Sequence, residues 1–78
     1  MLKAVDEDRK YALQATIVRI MKARETLKYQ ALVREVILQI SWRFTPKMQE
    51  VKEAIWTLLD NEYIERAEGQ RDTFNYCR

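Results

Sequence analysis

The sequence predicts a mainly α-helical domain closed by a small β-hairpin, and three observations carry that expectation. Apolar residues recur at helical spacing through three successive stretches, Asp8 to Arg24, Tyr29 to about Trp42, and Thr45 to near Asn61. After Glu62 the pattern changes to two short β-prone runs, Tyr63-Ile64-Glu65-Arg66 and Thr73-Phe74-Asn75-Tyr76. Between these runs, from Ala67 to Asp72, lies the one glycine of the chain, Gly69.

The first helix follows from Leu13, Ile17 and Ile20 at i, i+4 and i+7, with Ala12, Val18 and Met21 widening the stripe. Asp6, Glu7 and Asp8 stand before or in its first turn and Arg19, Lys22 and Arg24 toward its last, which suits the helix dipole. Glu25-Thr26-Leu27-Lys28 breaks the period. Tyr29, Leu32, Val33, Val36, Ile37 and Ile40 then restore it as a second helix. A third is announced by Thr45-Pro46, a hydroxyl able to cap followed by a proline suited to the first helical position, and continues through Met48, Val51, Ile55, Leu58 and Leu59. A two-stranded hairpin is marginal alone, so Ile64, Phe74 and Tyr76 are expected to pack against the helices. Three helices followed by a β-ribbon make a winged helix, a variant of helix-turn-helix. Residues 1–8 are expected to be a flexible lead-in and residues 9–78 the domain.

Composition narrows the function. The 78 residues suffice for one modest core, and no apolar run approaches the roughly 20 residues that cross a bilayer. The N-terminal residues have no signal-peptide core, so a cytosolic or nuclear protein with no membrane partner is expected. With no histidine and a single cysteine, Cys77, neither a histidine-based catalytic pair nor a structural zinc site can be assembled, and no Gly-rich phosphate loop is present. An enzyme and a cofactor are therefore not expected. Cys77 reads as an ordinary free thiol near a frayed end.

Winged helices are familiar DNA readers, but the charges oppose that role here. From Pro46 to Asn61, Lys47 and Lys52 face Glu50, Glu53 and Asp60, and from Glu62 to Tyr76 two arginines face four carboxylates. A phosphate backbone requires the opposite sign. Positive charge gathers instead at Arg19, Lys22, Arg24 and Lys28, interrupted by Glu25 alone. At about 100° per residue, Lys22 stands about 140° from Ile17 and about 160° from Ile20, which points it into solvent. Such a cluster is most simply a solvated face. Trp42 and Trp56, at helical spacing beside apolar neighbours, are expected to pack as core or core edge and Met48, beside Pro46, as interior or staple packing, while Tyr63 and Tyr76 are expected to cover the sheet edge.

The words of the sequence are more specific than its charges. Glu7-Asp8-Arg9-Lys10, the hexad Ile17-Val18-Arg19-Ile20-Met21-Lys22, Arg24, Arg43-Phe44, Glu62-Tyr63-Ile64-Glu65-Arg66 and Tyr76 resemble the C-terminal domain of the cullins, over nearly the whole chain from about Val5. The resemblance implies the winged-helix tail of a much longer scaffold in a multisubunit RING-type ubiquitin ligase. It implies attachment of a ubiquitin-like modifier of the Nedd or Rub type, by isopeptide bond, to the lysine closing the hexad, here Lys22. Arg19, Arg24 and Lys28 would then form a partner-docking surface around the acceptor. Further implied partners are a modifier-conjugating enzyme, a RING-box subunit, a cullin exchange factor and a deconjugating signalosome, with location in the cytoplasm and nucleus. The chain departs from the family at Glu25, where cullins commonly carry a basic residue, and at the ending Tyr76-Cys77-Arg78, where they usually have Tyr, an apolar residue and Ala. A DNA-binding or unmodified protein-interaction winged helix is the alternative.

Overall fold

The computed structural model describes the backbone of residues 2–77 and the side chains of residues 8–77. The elements run α1 (Leu2–Arg24), β1 (Thr26–Lys28), α2 (Tyr29–Ile40), α3 (Met48–Asp60), β2 (Ile64–Ala67) and β3 (Gln70–Tyr76). The winged-helix expectation holds, with corrections at the element ends.

The first helix is longer than its periodicity suggests. It is helical from Leu2, through the stretch expected to be a flexible lead-in, and its first turn contains no acidic residue. Residues 2–8 contain neither glycine nor proline, so nothing in them halts propagation. Lys22 and Arg24 occupy the last turn as expected. α1 stops at Glu25, whose backbone is left-handed at φ 68 and whose N–H donates to the Met21 carbonyl at 2.7 Å. The second helix stops at Ile40 rather than Trp42, and a turn follows in which Ile40 O takes the N–H groups of both Arg43 and Phe44 at 2.9 and 3.1 Å.

Thr45 and Pro46 do not cap and open α3. Lys47 is the N-cap, in extended conformation, and its backbone N–H donates to Glu50 Oε1 at 2.9 Å. This is one half of a capping box; a lysine side chain has no acceptor with which to return the other half. Pro46 is buried instead, one residue ahead of the cap.

The wing is also richer than a hairpin. Thr26–Lys28 forms a third strand, giving the antiparallel order β1-β3-β2. Thr26 pairs with Asn75, Leu27 with Phe74 and Lys28 with Thr73, while on the other side Ile64 pairs with Tyr76 and Arg66 with Phe74. A three-residue strand is too short for alternation to reveal it. Gly69, at φ +78, makes the tight β2–β3 turn where the sequence suggests a longer loop.

All elements meet in one core. Leu13, Ile17, Ile20 and Met21 from α1, Leu32, Val36 and Ile40 from α2, and Val51, Ile55 and Leu58 from α3 close over Ile64 and Phe74. Tyr76 is partly buried against them, as expected, and Tyr29 meets Phe74 edge-on at 6.4 Å between ring centroids. Arg9 ties α1 to α3: its guanidinium makes two bonds to Glu50, at 2.7 and 3.0 Å, and lies 4.2 Å from the Phe44 ring centroid.

Candidate functional site: an exposed lysine on the last turn of α1

Three buried α1 residues, Ile17, Ile20 and Met21, decide where Lys22 goes. Their side chains enter the core, and Lys22, rotated past them, is exposed. The same turn is held from below. The Tyr76 N–H donates to the Glu25 carbonyl at 2.8 Å, and the Thr26 hydroxyl donates to Asn75 Oδ1 at 2.8 Å. An amine at the end of a helix clamped by core on one side and sheet on the other is presented from a rigid base.

The neighbouring cations divide. Arg19, three residues before Lys22, shares its face and is exposed. Arg24 is turned to the second helix, where its guanidinium donates to Glu35 Oε2 at 3.0 Å. Lys28 is exposed at the end of β1, beyond the left-handed turn. Glu25, also exposed, stands among them. Of the other lysines expected to compete as acceptors, Lys10, Lys28, Lys47 and Lys52 are exposed, and the side chain of Lys3 lies outside the described residues.

Among the described residues no group of three or more histidine, cysteine or carboxylate side chains is placed to hold a metal ion. Cys77 does not sit on a loose end. Its N–H donates to the Tyr63 carbonyl at 3.0 Å, and its Sγ lies 3.7 Å from Glu65 Oε1. Burial and the Glu65 carboxylate push the thiol pKa up, away from the reactive thiolate.

The expectation that Trp42 and Trp56 pack as core or core edge is wrong, and Met48 is not interior. Trp42, Trp56 and Met48 are exposed to 80%, 62% and 49% respectively, and Tyr63 is 54% exposed. The rotation of about 100° per residue that turns Lys22 outward applies equally to Trp56. Trp56 lies about 140° from Val51 and about 160° from Leu58, whereas Trp42 lies past the end of α2, in the turn that follows Ile40.

These residues and this fold match known proteins. The family model for the cullin protein neddylation domain matches residues 8–70. The chain belongs to the cullin family. Cullin-1 of Caenorhabditis elegans is 49% identical over 74 residues, which are 95% of this chain and 10% of that protein. Cullin-1 of Schizosaccharomyces pombe is 54% identical over 74 residues, 95% of this chain and 9% of the relative. Cullin-3 of Dictyostelium discoideum is 51% identical over 72 residues, 92% of this chain and 9% of the relative. Among solved structures, the complex described as "A Dual E3 Mechanism for Rub1 Ligation to Cdc53: Dcn1(P)-Cdc53(WHB)" is similar with a TM-score of 0.91 and 37% identity, covering 97% of this chain and 87% of that one. The cullin chain described here therefore spans about a tenth of the length of the curated relatives it matches.

Proposed function

We propose that this cullin domain is the acceptor of a ubiquitin-like modifier at Lys22 and that attachment activates a multisubunit ubiquitin ligase. The observation that carries the reading is the exposed Lys22 amine on the clamped last turn of α1, in a neddylation domain whose structural relative is described as a target of Rub1 ligation. In the reaction, Lys22 Nζ as the free amine attacks the carbonyl of a modifier thioester. The C–N bond of the isopeptide forms, the C–S bond to the conjugating enzyme breaks, and the thiolate departs as the amine gives up a proton. An ordinary lysine is neutral in about one copy in 2,500 at pH 7, so most of the rate comes from holding the thioester beside the amine. The domain contributes position and the partner contributes activation.

Arg19 shares the Lys22 face and is the first candidate for docking an acidic partner surface; Arg24 and Lys28 extend it, while Glu25 thins it. In this reading the rest of the cullin is a non-catalytic scaffold bearing a RING-box subunit, and its exchange factor and signalosome act in cytoplasm and nucleus. Co-purification of a RING-box subunit with the full-length protein tests that context.

Reconstituted conjugation with activating enzyme, conjugating enzyme and modifier tests the acceptor. Lys22→Arg keeps the charge and removes the usable amine, so the conjugate band is expected to disappear, whereas Lys28→Arg and Lys10→Arg keep it. Undiminished modification of a folded Lys22→Arg domain removes the proposal.

A further inference from the structure

The exposed indole of Trp56 lies in the helix that a winged helix ordinarily offers to a groove, and its surroundings have the wrong sign for nucleic acid. A cavity of about 540 Å³ runs between α1 and α3, lined by Lys10, Gln14, Glu53, Trp56, Thr57 and Asp60 among others. Tyr63, 54% exposed, follows just past the end of α3, where the Tyr63 N–H donates to the Leu58 carbonyl. Trp56 thus stands open in the cavity and Tyr63 stands open just beyond the helix that carries it, the kind of apolar exposure that marks a binding surface.

Charge names the occupant. Residues 48–77 hold seven carboxylates and three cations. Of these, Glu50 is spent on Arg9, and the Arg66 guanidinium lies 5.7 Å from the Phe74 ring and donates to the Arg71 carbonyl. Lys10 and Lys52 also line the groove and offset Glu53 and Asp60 there, so its attraction for cations rests on the wing, which follows Asp60 in the chain and carries Glu62, Glu65, Glu68 and Asp72 outside the groove lining. Asp60 and the wing carboxylates are all exposed. An indole beside carboxylates suits lysine and arginine side chains twice, through ion pairing and through the ring face.

We infer that the α1–α3 groove and the wing of this domain form a second docking surface, which takes a lysine- or arginine-rich amphipathic helix of a partner protein. The apolar side of that helix lies on Trp56 and its cations lie over Asp60 and the wing. The surface is independent of Lys22, so conjugation and this binding are separable.

The test uses the 78-residue chain carrying Trp42→Phe, which leaves Trp56 as its one indole. Three synthetic 18-residue peptides are titrated: a Leu/Lys amphipathic helix, its Leu/Glu counterpart, and a Lys/Ser peptide without leucine. The expected result is a saturable change in Trp56 fluorescence with the Leu/Lys peptide alone, weakening as salt rises. Backbone amide shifts are expected to fall within residues 49–72. Trp56→Ala, checked by amide shifts to be folded and titrated through those same amide shifts because it lacks the indole, is expected to weaken binding about tenfold, and Asp60→Asn with Glu62→Gln about fivefold. Lys22→Arg is expected to change nothing.

Equal binding of the Leu/Glu or Lys/Ser peptide overturns the inference, as does a shift map centred on α1 and α2 away from the groove or an inert Trp56→Ala. Saturable binding of a DNA duplex to the same amides at physiological salt, or concentration-dependent self-association through them without peptide, also overturns it by assigning the surface to another occupant.

Discussion

Between positions 8 and 47 the half built from α1, β1 and α2 carries nine basic and three acidic residues, a net of +6, whereas α3 and the wing, from 48 to 77, carry three basic and seven acidic, a net of −4. Taken over the whole chain these nearly cancel to +2, which is why composition alone suggests no electrostatic partner. The two halves nevertheless share a single core, in which Leu13 and Ile17 of one meet Ile55, Ile64 and Phe74 of the other. The fold demands the buried stripes and leaves the surfaces to be set separately. One surface presents an amine near arginines, and the other presents indole and phenol among carboxylates.

The largest expected effect is the one that erases both halves together. Ile17 is fully buried, and Ile17→Ala removes its packing and leaves a cavity, for an expected loss of about 3 kcal/mol. In a domain of this size that is a large part of total stability, and both surfaces are lost with it. Trp56→Ala, on a side chain 62% exposed, is expected to cost less than about 0.5 kcal/mol. Urea unfolding of the two variants checks the contrast. Comparable losses would mean that Trp56 supports the core and that the two surfaces are not separate from it.

How much of this was legible beforehand follows from what is periodic and what is not. The three helices and the wing were readable because burial imposes a repeat on sequence, and Lys22 was readable as outward by the same repeat. The acceptor role was not: it rested on the likeness of the hexad to a family, since an exposed lysine among arginines has no chemistry of its own. Strand β1 escaped because three residues carry no period. The true start of α3 escaped because its cap depends on Glu50, whose carboxylate is placed by Arg9, 41 residues away in sequence. The exposure of Trp56 follows from the wheel, whereas that of Trp42 follows from the end of α2 at Ile40, which the apolar period does not mark.

That long-range tie supplies the next test, because Arg9 belongs to the cationic half and Glu50 to the acidic one. Hydrogen bonds from Arg9, with a further bond from the Lys47 backbone N–H, hold the Glu50 carboxyl at about 2, below its ordinary 4.5. A carboxylate whose pKa is lower in the folded chain stabilises that state fully above about 4.5 and loses its contribution as pH falls toward 2. With the pair a quarter exposed, screening limits the effect to about 1–2 kcal/mol. Urea midpoints at pH 6 and pH 3 are expected to fall more in the parent chain than in Glu50→Gln. Parallel falls would show that the two halves are not joined through this carboxylate.

The smallest effect discriminates best, because the two halves repeat one backbone device. Glu25 after α1 and Glu62 after α3 both hold left-handed backbone, at φ 68 and 62, where a side chain is strained and glycine is not. Glu25→Gly and Glu62→Gly are each expected to stabilise by about 0.5 kcal/mol after allowance for the freedom glycine adds to the unfolded chain. This raises Tm by about 2–4 °C. In backbone terms the substitutions are equivalent; in charge they are opposite. Glu25→Gly removes an acidic residue from the cationic half, and Glu62→Gly removes one from the acidic half. Titration with the Leu/Lys peptide should therefore weaken for Glu62→Gly and hold for Glu25→Gly, while thermal melts rise for both. Matching melts with matching affinities would show that the molecule's two charges are spread evenly over its surface, and the distinction between its halves would fall.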